Sequence, residues 1–121
     1  MLEGQVKISF ERWYLIWIRK QKPYTHEMLD DDLIEVFYCG VLSEQFGVYV
    51  DFFDSVGLMI EIKRELQFGD FYVQINDKEY KGDRFRLRPE ARSSSLSKAS
   101  QIFNERLLST STNKENQEKL K

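Results

Sequence analysis

Hydrophobic and polar positions change rhythm several times along this chain. Residues 8–18 are dense in aromatic and β-branched side chains, and Trp13 to Ile18 is apolar without a break. Periodicity alone does not separate a buried strand from a buried helix in such a run. The β-branched and aromatic enrichment points to a strand. Beyond Pro23 the rhythm becomes helical. Leu29, Leu33, Val36, Phe37, Gly40 and Val41 share one face of a helix predicted over residues 27–46. Thr25 or one of Asp30, Asp31 and Asp32 can cap its start, and Gly47 is placed to end it in a left-handed conformation.

Alternation takes over next. A strand is expected over 48–54, followed by a type I turn at Asp54-Ser55-Val56-Gly57. Residues 58–64 set Leu58, Ile60 and Ile62 against Met59, Glu61 and Lys63, and residues 71–76 turn Phe71, Val73 and Ile75 inward. A further strand over 84–88 puts Phe85 and Leu87 on one face and Arg84, Arg86 and Arg88 on the other. A last helix over 95–108 carries Leu96, Ala99, Ile102, Phe103 and Leu107 on one stripe. The predicted class is α+β: a mainly antiparallel sheet of about five strands with two helices, in the order β-α-β-β-β-β-α. Residues 1–108 form a single domain in this reading. Residues 109–121 hold one apolar side chain and read as a disordered polar tail.

Composition changes this picture little, but charge changes it considerably. Of 121 residues, 41% are apolar and 14% aromatic, enough for one bulky core. Cys39 is the only cysteine, which excludes an internal disulfide and any multi-cysteine metal site. No apolar run reaches the roughly 18 residues that cross a bilayer, and the first residues lack a secretory pattern. The expectation is therefore a cytoplasmic protein with no membrane partner. The net charge of −2 conceals segregation. Residues 1–22 carry +3 (five basic, two acidic), residues 23–62 carry −9 with no lysine or arginine, and residues 63–121 carry +4 (thirteen basic, nine acidic).

The acidic helix is the most unusual feature. Asp30, Asp31, Asp32, Glu35 and Glu44, with Tyr24 and Tyr38 nearby, have the character of a surface that meets a basic partner protein. Carboxylates steer the encounter and tyrosines supply contact area. The plainer explanation is a solvated face, with capping acids at a helix start and neutralisation by the protein's own basic stretch. Complementarity between acidic helix and basic strand would also suit a homodimer. The arginines at 84, 86 and 88, with Lys78, Lys81 and Arg92 around them, could contact phosphates. Asp83 and Glu90 interrupt that pattern, and charge that protects a strand edge explains it equally well.

One spacing carries catalytic chemistry. Asp54, a turn, and Glu61-Ile62-Lys63 on the next strand are similar to the D…(D/E)-x-K signature of the restriction-endonuclease-like nuclease superfamily. The resemblance spans about twenty residues, lacks the usual proline before the aspartate, and lacks the expected helix after the motif strand. It implies Mg²⁺ held by Asp54 and Glu61, with Lys63 positioning the nucleophile, Asp51 as a substitute, and Glu35 or Glu44 as a further acid. His26 is the single histidine, so a histidine cluster is excluded. Cys39, inside the acidic helix, reads as a small buried residue. The preferred expectation is a non-enzymatic, cofactor-free protein-binding domain of inhibitor, immunity or accessory type. Its contact residues would be Asp30, Asp31, Asp32, Glu35, Tyr38 and Glu44. The metal-dependent nuclease and the arginine-strand nucleic-acid binder stand as alternatives.

Overall fold

A computed structural model describes the backbone of residues 2–119 and the side chains of residues 2–108. The element order is α1 (Gln5–Gln21), a 3-10 turn (Pro23–Glu27), α2 (Asp30–Tyr38), α3 (Leu42–Ser55), β1 (Ile60–Arg64), β2 (Phe71–Ile75), β3 (Lys78–Phe85) and α4 (Arg88–Lys119). The fold is α+β, but the described residues form four helices and three strands rather than two helices and about five strands. The expected tail, 109–121, lies outside the residues whose side chains are described.

The run at residues 8–18 is helical, not extended. Val6, Phe10, Tyr14 and Ile18 recur every fourth residue and are all buried. Trp13, Leu15 and Trp17 pack beside them, half-buried. That arrangement makes α1 apolar around most of its circumference, which is why strand-type composition masked the helix. Lys22 turns extended ahead of Pro23, and Arg19 and Lys20 in the last turn suit the helix dipole.

The single helix expected over 27–46 is broken in two. Gly40 N–H closes a tight turn onto the Phe37 carbonyl at 3.1 Å, and Val41 is extended. The break is held from the other side by Gln45, whose Nε2 donates to the carbonyls of Phe37, Tyr38 and Gly40 at 2.9–3.1 Å. These carbonyls belong to a helix end, where those of Tyr38 and Gly40 have no following backbone donor. Leu33 and Phe37 are buried as expected, whereas Leu29, Val36 and Val41 are exposed.

The strand expected at 48–54 is the body of α3. Gln45, Tyr49, Phe52 and Phe53 share its buried face, a helical spacing that the alternation of Val48, Val50 and Phe52 had disguised. Gly47 sits inside this helix and ends nothing. The expected turn at 54–57 is instead the helix terminus: Gly57 N–H bonds the Asp54 carbonyl, and Leu58 N–H bonds the Phe53 carbonyl at 2.8 Å. With Gly57 at φ 83, this is the paired-bond glycine ending of a helix.

β1, β2 and β3 form an antiparallel meander in that order. Ile60, Val73 and Ile75 are buried, as their alternation predicted, on the side where α4 packs with its own buried Ala91, Leu96 and Ala99. The fourth helix starts at Arg88, not Ser95, because the small residues Ala91, Ser95 and Ala99 are fully covered and let the helix lie close to the sheet. Residues 84–88 therefore do not form a strand. β3 ends at Phe85, and Pro89 occupies the first turn of α4, where its missing N–H costs nothing. At the centre of the core, Phe10 is wholly buried and lies within 6.0 Å of five other rings, those of Trp13, Tyr14, Phe37, Tyr49 and Phe52.

Candidate interaction surface

The bend between α2 and α3 opens a groove of about 410 Å³ against the C-terminal half of α1. Tyr14, Trp17 and Ile18 form the α1 side; Val36, Gly40, Val41 and Val48 form the opposite side; Lys22 and Glu44 stand at its edges. The groove exists because the helical path breaks at Gly40, between α2 and α3. A continuous helix would have carried Val41 and Glu44 onward along one axis instead of folding them back. Sequence reading placed Val36 and Val41 in a core, so it missed the groove. The only signal for it was a glycine amid apolar residues, Gly40, with a glutamine five residues later.

The structure divides the expected contact residues: Glu44 lines the groove, whereas Asp30 and Asp31 lie at the start of α2, away from it. Asp32 sits one helical turn before Val36, on the same side of α2. Asp31, Glu35 and Glu44 are exposed. None of Asp31, Asp32, Glu35 or Glu44 forms an ion pair among the described residues. Asp30 is different: its Oδ1 lies 2.6 Å from Nη2 of Arg19, which also donates to the Met28 carbonyl. Such a surface pair contributes at most about 1 kcal/mol, but it ties the start of α2 to α1. Tyr38 turns to the other side of α2, where its hydroxyl donates to Glu11 at 3.0 Å. Burial, then the Glu11 bond and charge, push the Tyr38 phenol well above its ordinary value.

Three of the basic residues that might have neutralised α2 are committed elsewhere. Arg84 lies 3.3 Å from Asp70 and 3.9 Å from Glu65, Lys98 bonds Asp83 at 2.9 Å, and Lys81 lies 3.2 Å from Glu79. The hydrogen bond and charge of Glu79 raise the Lys81 amine above its ordinary value. Arg84 ends up on β3, Arg86 in the connection after it and Arg88 at the start of α4, so the three do not share a strand face.

Glu61 and Lys63 do share the outer face of β1, with Lys63 Nζ 3.5 Å from Glu61 Oε2. Asp54, however, comes from the last turn of α3, and Asp51 from the turn before it. The neighbouring strand that the nuclease resemblance requires as donor of the aspartate is therefore a helix end. Among the described residues no three His, Cys, Asp or Glu side chains gather so as to hold a metal ion. Cys39 is exposed at the end of α2 rather than buried. No helix among the described residues is long and apolar enough to cross a membrane. Comparison with known proteins adds no relative: no family model matches the chain, and neither a curated protein nor a solved structure matches it.

Proposed function

We propose that this protein is a non-enzymatic binding domain that receives a basic, amphipathic segment of another protein on its α2 face. Apolar side chains of the partner would fill the groove against Trp17, Val36 and Val41. Its lysines or arginines would meet Asp31, Asp32, Glu35 and Glu44. The observation that supports this reading is the juxtaposition itself: Glu44 lines an apolar groove together with the exposed Val36 and Val41, Asp32 lies one helical turn from Val36, and neither acid has an ion-pair partner among the described residues. A solvated helix face accounts for the charges but not for the valines, whose exposure leaves apolar area in water beside an open groove. The reading keeps the protein in the cytoplasm, where the exposed Cys39 thiol would stay reduced.

A short synthetic helix with leucines on one face and lysines on the other serves as probe, with emission of Trp17 reporting occupation. Binding should weaken roughly tenfold in the Asp31→Lys, Glu35→Lys double variant at low salt, and less at physiological ionic strength. Val36→Asp should weaken it at both. Equal affinity in all three proteins would overturn the assignment of this face. Mg²⁺-dependent DNA cleavage by the parent, lost in Glu61→Ala and in Lys63→Ala, would instead carry the nuclease alternative.

A further inference from the structure

A second exposed apolar surface lies at one end of the sheet and plays no part in the α2 reading. The register pairs Arg64 with Phe71 and Phe71 with Phe85. The loop between β1 and β2 and the connection from β3 to α4 therefore emerge side by side. The loop is closed on itself: Glu65 N–H bonds the Asp70 carbonyl and Gly69 N–H bonds the Glu65 carbonyl, both at 2.8 Å, with Gly69 at φ 71. It holds Leu66 93% exposed and Phe68 68% exposed, and the adjacent connection adds Leu87 at 59%. Three large apolar side chains at a convex tip are an unusual way to face water.

Arginines surround that tip. Arg84 takes up both carboxylates of the loop, Glu65 and Asp70, and its guanidinium lies 5.5 Å from the Phe68 ring centre. Arg88 stacks over Phe71 at 5.3 Å. Arg64, Arg86 and Arg88 make no ion pair among the described residues. Asp83 bonds Lys98 at 2.9 Å, and Glu90, in the first turn of α4, is the remaining acid nearby in sequence. Arg84 thus neutralises the two carboxylates of the loop, and three guanidiniums without ion pairs among the described residues stand around an apolar projection.

We propose that this end of the sheet docks peripherally on an anionic lipid bilayer. Leu66 and Phe68 enter the boundary between headgroups and acyl chains, and Arg64, Arg86 and Arg88 contact lipid phosphates and carboxylates. The chemistry selects this occupant by complementarity. Apolar side chains flanked by cations match the layered polarity of an anionic membrane surface. Single-stranded nucleic acid would supply the same anions, but it rewards flat stacking faces, and Leu66 and Leu87 offer none. The expectation of no membrane partner came from the lack of a spanning run; lying on a bilayer is a separate physical property that requires no such run.

Sedimentation of the full chain with vesicles tests the proposal. One set is phosphatidylcholine alone, and the other contains about one part phosphatidylserine to three of phosphatidylcholine, mimicking an anionic cytoplasmic leaflet. Binding is expected only to the anionic vesicles, falling with added salt. Arg86→Gln should weaken it about fivefold, and the Leu66→Ser, Phe68→Ser double variant about tenfold or more. All three residues are exposed, and circular dichroism with the urea midpoint verifies that the fold is kept. The Asp31→Lys, Glu35→Lys variant should retain vesicle binding, which separates this surface from the α2 face. Absence of binding to anionic vesicles, or full binding by the Leu66/Phe68 variant, overturns the proposal. Capture of poly-uridine RNA without vesicle binding overturns it in favour of nucleic acid.

Discussion

Gln45 holds the bend on which the groove depends, and replacing it gives the most direct test of the fold. Its carboxamide is buried, and its single nitrogen faces three carbonyls. Two N–H groups cannot fully satisfy three acceptors, but the Phe37 carbonyl also receives backbone bonds from Cys39 and Gly40. Tyr38 and Gly40 are the carbonyls that rely on Gln45. Gln45→Leu keeps the volume and removes both donors. A buried acceptor left unsatisfied costs about 1–3 kcal/mol. Because Gln45 borders the groove, water can reach part of the deficit, so the expected loss is about 2 kcal/mol rather than the full sum. In urea, with a slope of about 1–3 kcal/mol per molar, the midpoint should fall by about 1 M.

Gln45→Glu sharpens the test by adding a sign. An ionised carboxylate would face three carbonyl oxygens, so the folded state favours its protonated form and raises its pKa above the ordinary value of about 4.3. Below that unfolded value the acid is neutral in both states and can donate one bond. As pH rises, the folded state binds more protons than the unfolded one, so stability falls until the folded pKa is passed. The variant should therefore be less stable than Gln45→Leu at neutral pH and recover towards pH 4. Urea titrations at four or five pH values, with hydrogen exchange at residues 40–42, measure both effects. A Gln45→Leu midpoint equal to the parent's, together with a pH-independent Gln45→Glu, would refute the role given to this side chain.

Other outcomes follow from the same packing. Phe10→Ala should cost about 3–5 kcal/mol, since the cavity sits among five rings that cannot all relax into it; calorimetry or urea unfolding reads the loss. Gly47→Ala should raise stability by about 0.5–1 kcal/mol, because Gly47 is helical with open space where a Cβ would go. Gly57→Ala should lower stability by about 1 kcal/mol or more through its positive φ, so the two glycine variants must move the urea midpoint in opposite directions. Burial, assisted by the Glu11 charge, pushes the Tyr49 phenol up to about 12, and burial raises Tyr14 as well. Their contribution is fully present below the unfolded value of 10.0 and is lost as pH rises through the folded values, by up to about 1.4 kcal/mol per pH unit per tyrosine. Unfolding curves between pH 9 and 12 check it, with Tyr49→Phe expected to flatten the dependence.

Legibility varied with how local the governing forces were. β1 and β2 could be read from alternation because one face of each packs against a helix, so Ile60, Val73 and Ile75 announce the buried side, although Tyr72 is buried on the other face. β3 could not, since it is an edge strand with almost no buried side chain and its polar sequence resembles a loop. The first half of α4 was invisible for the opposite reason: Ala91, Ser95 and Ala99 are buried because they are small, and a hydrophobicity pattern gives them little weight. In α1 and α3, aromatic and β-branched composition argued for strands, but tertiary burial of an i, i+4 stripe outweighed a local preference worth only fractions of a kcal/mol per residue. The acidic α2 residues were legible by position. The separation of Asp30 and Tyr38 from the rest was not, because it depends on Arg19 and Glu11, eleven and twenty-seven residues earlier in the chain.

By itself the sequence determined the charge segregation, the α+β class, two of the three strands and the location of Asp30, Asp31, Asp32 and Glu35 on a helix. Each of these depends on residue identity or on spacing within a few residues. The tertiary structure decided which apolar residues stay in water. Val36 and Val41 line an open groove because Gln45 reaches back across a helix break to the Tyr38 and Gly40 carbonyls, which have no following backbone donor. Leu66, Phe68 and the arginines converge because antiparallel register brings one end of β1 beside the far end of β3. Burial is set by what the rest of the chain places over a side chain, and no local pattern contains that information.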